Sequence, residues 1–157
     1  MSIYPGNFKN LGQTKNNDGK FGKGEPRWIV MHYTAAGSGA NSASYLFGPH
    51  KPASSAHFVV DRDGKVYQIS DTDRITWHAG QSTWRGVKGL NKYAIGIEIA
   101  NYGWQDGTRK IPAFWKTRRA KHKNGGKTMD WAEYPEVQLV ALDKLVRWLD
   151  KTYPTLY

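Results

Sequence analysis

The chain has 157 residues, of which 39% are hydrophobic and 13% aromatic, and this composition predicts one folded domain rather than a disordered chain. It contains no cysteine, so disulfides, thiolate nucleophiles and thiolate zinc sites are excluded, and any metal must be bound by His, Asp or Glu. The formal net charge of +10 favours contact with a polyanion such as nucleic acid, an anionic membrane or an acidic cell wall. No apolar run approaches the roughly 18 residues that a membrane span needs.

The N-terminal segment, residues 1–26, is rich in Gly, Asn and Lys. It predicts an extended leader that lies on the domain or is partly disordered. Because it has no apolar stretch followed by a small-residue cleavage site, we expect no secretory signal in this sequence. Residues 27–157 are predicted to form the single domain.

The first predicted core element is the apolar run from Trp28 to Met31, which is typical of a strand buried on both faces. This strand brings His32 to the point where the sequence turns small and polar. Three roles are open for this histidine: a core residue, a general base or a metal ligand. Residues 38–48 then predict a short helix, with Ser38 or Asn41 as its N-cap.

The clearest local pattern is a β-hairpin. Two β-rich runs, residues 57–60 and 65–69, flank Asp63-Gly64, a pair that favours a tight turn. His57 opens the first run, and two interpretations have equal weight: a buried ring bonded to the backbone, or a side chain that lines a cleft. The structured loop that follows, residues 71–86, contains Trp77 and His78. Loop residues of this kind more often serve recognition than the core.

Residues 93–101 alternate in polarity, with isoleucine at every second position, and predict another strand. Glu98 lies within it, where a carboxylate is costly unless it is paired, hydrogen-bonded or facing a cleft. The alternative is a strand whose polar face simply meets water. Gly96 shares a face with Glu98, and the missing side chain there would leave room for a ligand.

Residues 103–134 are interpreted as loop-like, and they contain the basic run Lys116–Lys123, which we interpret as solvated. His50 and His122 lie in polar loops, where solvation at the surface is the expected state.

The last element, residues 135–150, is predicted to be a helix with Pro135 in its first turn. Its apolar side is formed by Leu139, Leu142, Leu145, Val146 and Leu149. The order strand, helix, hairpin, strand, helix predicts an α/β domain with a mixed central β-sheet flanked by helices.

Ligands of open α/β sheets collect at the carboxyl ends of the strands. His32 and Glu98 therefore suggest a metal site or an acid–base site. The pattern is not specific, because the sequence has no HExxH motif and no other compact pair of metal ligands.

Four segments, taken in order, resemble a known family: "IVMHYTAAGS", "SSAHFVVDRDGKVYQISDTDRITWHAGQS", "NKYAIGIEIANYG" and "WAEYPEVQLVALDKLVRWLDKTYP". They are similar to the zinc-dependent N-acetylmuramoyl-L-alanine amidases of the type-2 family, which are related to phage lysozyme-type amidases and to peptidoglycan recognition proteins. The resemblance covers residues 27–157, apart from the segment 104–130. It implies a mixed sheet flanked by helices with a zinc ion in a groove.

The resemblance also implies an activity and roles for single residues. The expected reaction is hydrolysis of the amide between N-acetylmuramic acid and L-alanine of the stem peptide, with peptidoglycan or a muropeptide as substrate. His32 matches the first zinc ligand, and Glu98 matches the acidic residue that acts on the zinc-bound water. His78 and Trp77 match the substrate groove, and His57 matches a position that is structural or lines the groove.

One departure from the family concerns the zinc site. In the family, a loop of the type Gly-His…Pro-Gly-Arg-Lys-x-Asp-Pro-Gly follows the long helix and supplies two further zinc ligands and a lysine for the oxyanion. This sequence stops at "YPTLY", about where that loop is expected. Three alternatives follow: a fragment or interrupted form of an active amidase, a degenerate member that binds peptidoglycan without cleaving it, or a site completed by another chain or by His50, His57 or His78.

Two further expectations concern partners and setting. Nucleic-acid binding ranks last, because the basic run lacks the interleaved aromatic residues of single-strand binders. The two settings considered are a bacteriolytic phage endolysin released at lysis and a cytoplasmic enzyme that recycles wall fragments. The oligomeric state is left open.

Overall fold

The computed structural model describes residues 4–105, 110–122 and 124–157. No helix in these ranges is both long enough and apolar enough to span a membrane. The elements in chain order are β1 (Phe8–Asn10), β2 (Asn17–Lys20), β3 (Trp28–Tyr33), α1 (Gly39–Phe47), β4 (Phe58–Val60), β5 (Val66–Gln68), β6 (Arg74–Thr76), β7 (Thr83–Trp84), β8 (Val87–Lys88), a 3₁₀ turn (Leu90–Lys92), β9 (Ala94–Ile99), β10 (Trp104–Gln105), β11 (Thr117–Lys121), β12 (Thr128–Ala132) and α2 (Glu136–Thr152).

The central element is a five-stranded mixed sheet with the strand order β1-β5-β4-β9-β3. Strands β4 and β5 form the predicted antiparallel hairpin, whose turn places Gly64 at φ 83°. The other neighbouring pairs in this sheet are parallel. The predicted α/β fold with a mixed sheet is confirmed.

Each face of the sheet has its own apolar core, and one helix covers each. On the α2 face, the buried cluster consists of Tyr4, Phe58, Val60, Val66, Ile95, Ile97, Ile99, Ala141, Leu145 and Leu149. On the α1 face, it consists of Ala43, Ala56, Val59, Tyr67 and Ile69. Helix α1 begins after Ser38, whose hydroxyl accepts a hydrogen bond from the Asn41 N–H, so the predicted cap is confirmed.

Helix α2 differs from its prediction in the first turns. Pro135 is the N-cap rather than a first-turn residue, and Leu139, predicted on the apolar side, is 47% exposed. The face toward the sheet is instead formed there by Ala141 and Gln138. The buried Gln138 amide donates to two strand-end carbonyls, those of Val60 and Ala100, both at 3.0 Å. These two hydrogen bonds tie the helix to the sheet.

The interpretation of β3 as a strand buried on both faces is wrong. It lies at one edge of the sheet, and Met31 is 49% and Tyr33 36% exposed. Met31 and Tyr33 project from the same face of the sheet, and at its edge this face is only partly covered by other elements. The apolar run predicts the strand itself but not its place in the strand order.

The described part of the N-terminal segment packs against the domain. Strand β1 pairs parallel with β5 at the other edge of the sheet, and β2 pairs antiparallel with β6. Tyr4 is 3% exposed and belongs to the core on the α2 face. These residues therefore contribute both a strand and a core side chain.

The interpretation of residues 103–134 as loop-like is also wrong. Strands β10, β12 and β11 form a separate antiparallel sheet, which we call the small sheet. The basic run supplies β11, in which all residues except Ala120 are exposed. A strand that is polar on both faces has no apolar alternation, so its sequence resembles a loop. Lys123, also in that run, lies outside the described residues.

Candidate functional site

The pairing of β3 with β9 brings His32 and Glu98 together. The two strands are parallel, and His32 is the register partner of Glu98. Glu98 also pairs with Val59 of β4, which belongs to the core on the α1 face. Because register partners project from the same face of a sheet, both side chains lie on the α1 face, near the carboxyl ends of their strands.

A cavity of about 410 Å³ opens beside Glu98, between α1 and the end of β3, and we call it the groove. Its lining residues are Tyr33, Thr34, Ala36, Asn41, Ser42, Tyr45, Leu46 and Glu98. The wall formed by α1 combines an amide, a hydroxyl and an exposed aromatic ring. A polar ligand such as a peptide could therefore find both hydrogen-bonding and apolar contacts there.

Glu98 is half-buried, and burial raises the pKa of its carboxyl to about 7. Within the described residues, this carboxyl forms no hydrogen bond or ion pair with another side chain or with the backbone. Near neutral pH it is therefore a mixture of acid and carboxylate. A group in that state can accept or donate a proton in a reaction at its oxygen atoms.

His78 lies directly behind His32 and determines its tautomer. The Nε2 of His78 lies 3.2 Å from the carbonyl oxygen of Ala94, so this nitrogen carries the proton and donates it. The Nδ1 of His78 is then an acceptor, and His32 Nε2–H donates to it at 3.1 Å. His32 consequently keeps a free lone pair on Nδ1. Burial lowers the pKa of both rings, that of His78 to about 3 with a smaller contribution from His57 and His32, so both are neutral.

His57 is fully buried, which favours the first of its two interpretations, a buried ring bonded to the backbone. Its Nε2 donates to the carbonyl of Arg74 at 2.7 Å, and its Nδ1 accepts from the N–H of Gly96 at 3.0 Å. Nδ1 also lies 3.0 Å from the Thr76 hydroxyl. Burial lowers the pKa of the ring to about 4. His57 therefore has a structural role: its hydrogen bonds join the start of β4 to β6 and β9.

The space beside Gly96 is occupied by a side chain rather than available to a ligand. A Cβ atom at this glycine would lie 2.4 Å from Cγ of the His78 ring. The expectation that Gly96 leaves room for a ligand is thus wrong. The glycine is needed because the imidazole of His78 packs directly on the backbone of β9.

We expect Gly96→Ala to destabilise the fold by about 1–3 kcal/mol, because the new methyl group overlaps a ring that is hydrogen-bonded on both sides. Denaturant unfolding measures this change. Gly22→Ala is the matched control, since nothing lies within 4 Å of the added carbon there and we expect a change below about 0.5 kcal/mol. Equal stability of the two variants would contradict the close packing of His78 on Gly96.

The remaining predicted site residue, Trp77, is half-buried, and both its backbone N–H and its carbonyl bond to Ser55. It is not among the residues that line the groove. Sequence reasoning missed Tyr45, whose ring lines the groove and lies tilted against the ring of His50, with 4.0 Å between the centroids. In the sequence, a tyrosine within a short predicted helix is the one indication of this wall of the groove.

The described residues do not form a complete zinc site. Catalytic zinc takes three protein ligands. Among residues 4–105, 110–122 and 124–157, no group of three His, Cys, Asp or Glu side chains could hold a metal ion. The rings of His50, His57 and His78 use both nitrogens in hydrogen bonds within the protein, so these histidines could complete the site only by rearrangement. We therefore assign no step to a metal.

Comparisons with known proteins point to one family. A family model described as N-acetylmuramoyl-L-alanine amidase (Amidase_2) matches residues 22–156. The N-acetylmuramoyl-L-alanine amidase AmiD of Escherichia coli K12 is 38% identical over 84 residues, which cover 49% of this chain and 29% of AmiD. The 1,6-anhydro-N-acetylmuramyl-L-alanine amidase AmpD of Citrobacter freundii is 35% identical over 72 residues, which cover 46% of this chain and 38% of AmpD. The matched segment thus spans about a third of these relatives.

Solved structures share the same fold. The complex of E. coli AmiD with anhydro-N-acetylmuramic acid-L-Ala-D-γ-Glu-L-Lys superposes with a TM-score of 0.62 at 25% identity, covering 83% of this chain and 44% of that one. A selenomethionine derivative of AmpD superposes with a TM-score of 0.65, covering 96% of this chain and 77% of that one. At 18% identity, the AmpD match is evidence for the fold alone.

Proposed function

Since this chain belongs to the N-acetylmuramoyl-L-alanine amidase (type-2 amidase) family, we propose that it hydrolyses the amide between the lactyl group of N-acetylmuramic acid and L-alanine in peptidoglycan or its muropeptides. The observation that carries the proposal is the position of Glu98. Its carboxyl lines the groove, has a pKa of about 7 and is the register partner of His32. This is the pairing expected of the family's acid–base residue.

The reaction requires a group in the site that moves a proton. The oxygen of a water molecule bonds to the lactyl carbonyl carbon, the C–N bond breaks, and the leaving amine takes up a proton. The products are a lactyl carboxylate and a peptide with a free L-alanine amino group. One group that accepts the proton of the water and passes it to the amine serves both steps. Glu98 is proposed as that group, because its pKa lies near neutrality.

The neighbouring side chains are proposed to bind and orient the substrate. Asn41 offers a side-chain amide along the groove, and Tyr45 offers an exposed ring. His78 is proposed as a positioning residue, because its hydrogen bond directs the free Nδ1 lone pair of His32. Trp77 is proposed as a more distant member of the substrate-binding region.

Zinc is proposed as the family's cofactor, with His32 as its first ligand. The family is generally zinc-dependent. Among the described residues, His32 offers one free imidazole nitrogen, so the other ligands would have to come from groups outside the described set.

The second candidate function is binding of peptidoglycan without cleavage. The observation that favours it is the absence, within the described residues, of any group of three side chains that could hold a metal. The same groove would then recognise the stem peptide, and no bond would be broken. This candidate predicts affinity for muropeptides that is independent of added zinc.

One experiment separates the two functions. The purified chain is incubated with anhydro-N-acetylmuramic acid-L-Ala-D-γ-Glu-L-Lys, with and without Zn²⁺, and the products are separated by chromatography with mass detection. Release of the tripeptide supports the amidase, and its loss in Glu98→Gln assigns the activity to this site. Calorimetric binding of the same compound without product supports the binding module. An absence of both product and binding would overturn both functions.

We propose two alternative biological settings. The chain is encoded by a phage and lyses the cell wall, or it recycles wall fragments in the cytoplasm. The two settings differ in substrate, since a lysin must act on intact sacculi and a recycling enzyme on soluble muropeptides. Comparing release of peptide from sacculi and from the soluble compound above distinguishes them.

A further inference from the structure

The small sheet carries an aromatic face. In its register, Trp131 of β12 is the partner of Trp104 on one side and of Arg118 on the other. The two indole rings lie 5.6 Å apart, and the ring of His122 stacks on Trp131 at 5.7 Å with an interplanar angle of 27°. These four side chains, Trp104, Trp131, Arg118 and His122, define the aromatic face.

This face is not part of either core. Neither buried apolar cluster of the domain includes Trp104 or Trp131, and both are half-buried. The indole N–H of Trp131 donates to the carbonyl of Ala120 at 3.0 Å, which holds the ring against the neighbouring strand. The aromatic surface is therefore ordered by its own sheet rather than by packing on the central one.

The small sheet is strongly basic. Between residues 104 and 132, the described side chains include one acidic group, Asp130, and six exposed basic groups: Lys110, Lys116, Arg118, Arg119, Lys121 and Lys127. Arg119 pairs with Asp130 at 3.3 Å. Within the described part of the chain, the other five form no ion pair. The positive charge is thus largely uncompensated and available to an anionic partner.

The small sheet is connected to the groove. Asn101 forms a β-bridge with Ala36, and Ala36 lines the groove. Strand β10 begins at Trp104, shortly after that bridge. The backbone therefore brings the small sheet close to one end of the groove.

We propose that the small sheet binds the glycan strand that amide hydrolysis leaves behind, through stacking on sugar rings and pairing of arginine and lysine with lactyl carboxylates. The inference rests on the proposed function, because each hydrolysed amide leaves one carboxylate on a muramic acid. Pyranose rings present apolar C–H faces that pack against indole rings. Guanidinium groups bind carboxylates with two parallel hydrogen bonds. A stripped glycan strand combines both features, whereas an intact one lacks the lactyl carboxylates.

The consequence is retention on the product. As peptides are removed, carboxylates attached directly to the muramic acid rings replace those on the stem peptides. A sugar ring and its carboxylate can then bind the small sheet together, so the chain stays beside stem peptides that are still attached. Single-stranded nucleic acid also combines aromatic and anionic groups. We favour a glycan as the partner because the family acts on peptidoglycan. Binding of nucleic acid is the alternative that the test below measures.

The test measures binding of the full chain to three soluble polymers by calorimetry at fixed ionic strength. The first is glycan stripped of peptides by a separate amidase, the second is a chito-oligosaccharide with the same backbone and no lactyl carboxylate, and the third is single-stranded DNA of equal charge. Arg118→Gln with Lys121→Gln removes two charges from the small sheet, one on the aromatic face and one on the opposite face. Lys144→Gln with Arg147→Gln removes two exposed charges from α2 as the matched control. Trp104→Leu tests the stacking.

We expect stripped glycan to bind most tightly, with affinity reduced about threefold to tenfold by the small-sheet double variant and less than about twofold by the α2 control. Trp104→Leu is expected to reduce it about twofold to tenfold. Equal affinity for the chito-oligosaccharide or the DNA would overturn the proposal, as would equal effects of the two double variants or no binding of glycan. Hydrolysis of the soluble muropeptide is measured separately, so a failure of the proposed function is seen independently of glycan binding.

Discussion

Replacement of Glu98 by Gln is expected to abolish amide hydrolysis and, at pH 8, to make the folded protein more stable. The amide cannot accept or donate the proton that the reaction moves, and loss of a general acid–base group lowers kcat by about 10²–10⁴-fold. The same change removes a carboxylate that burial disfavours. Loss of activity with a gain of stability is the behaviour expected of a functional residue rather than a structural one.

The sign of the stability change follows from the pKa of Glu98. Its pKa is about 7 in the folded chain, against an ordinary value of 4.5, so the folded state binds more protons between these two pH values. The contribution of Glu98 to the free energy of unfolding therefore falls as the pH rises from 4.5 through 7. Glu98→Gln is expected to be more stable by about 1–3 kcal/mol at pH 8 and to match the wild type at pH 4.

Denaturant unfolding at pH 4 and pH 8, together with chromatography of the muropeptide products, checks this prediction. Glu133→Gln is the matched control, since Glu133 is exposed and lies outside the groove, and we expect both activity and stability to be retained. Retained hydrolysis in Glu98→Gln would exclude this carboxyl as the proton-transfer group. A Glu98→Gln variant that is less stable than the wild type at pH 8 would contradict the desolvation of the Glu98 carboxylate.

The substitution His57→Ala is expected to reduce the free energy of unfolding by about 2–5 kcal/mol. The ring is fully buried, and its removal leaves a cavity and deprives the Gly96 N–H and the Arg74 carbonyl of their partners. We also expect weaker hydrolysis, because the rings of His57 and His78 contact each other edge to face and His78 orients His32.

The pH dependence at His57 has the opposite sign to that at Glu98. The pKa of His57 is about 4 in the folded chain, below the ordinary 6.5, so the folded state binds fewer protons between these values. Stability from this group is present above pH 6.5 and is lost as the pH falls toward 4. The free energy of unfolding of the wild type should therefore exceed that of His57→Ala by less at pH 5 than at pH 7.5.

Unfolding experiments at these two pH values provide the measurement. Lys144→Ala, at an exposed position of α2, serves as the control and should change stability by less than about 0.5 kcal/mol. If His57→Ala were as stable as this control, the structural role of the buried ring would be refuted.

Much of the fold could be predicted because its elements have local signals. The run from Trp28 to Met31, the Asp63-Gly64 turn and the alternating isoleucines each correspond to an observed strand or turn. The strand-end rule also selected His32 and Glu98, which the register places side by side. Periodicity and turn chemistry are properties of neighbouring residues, so a single sequence contains them.

Other features depend on which elements meet in three dimensions. The edge position of β3, the small sheet formed by a basic segment, and the His78 ring that fills the space beside Gly96 have no local signal. The same holds for His57, whose partners are Arg74, Thr76 and Gly96.

The amino-acid sequence by itself therefore determined the family, the mixed sheet and the pair of residues in the candidate site, His32 and Glu98. Only the tertiary structure decided that His57 is buried and that the free nitrogen of His32 is Nδ1. It also decided the pKa of Glu98, which depends on desolvation by groups distant in the sequence. Burial and hydrogen-bond partners arise from contacts between elements, and no periodicity along the chain encodes those contacts.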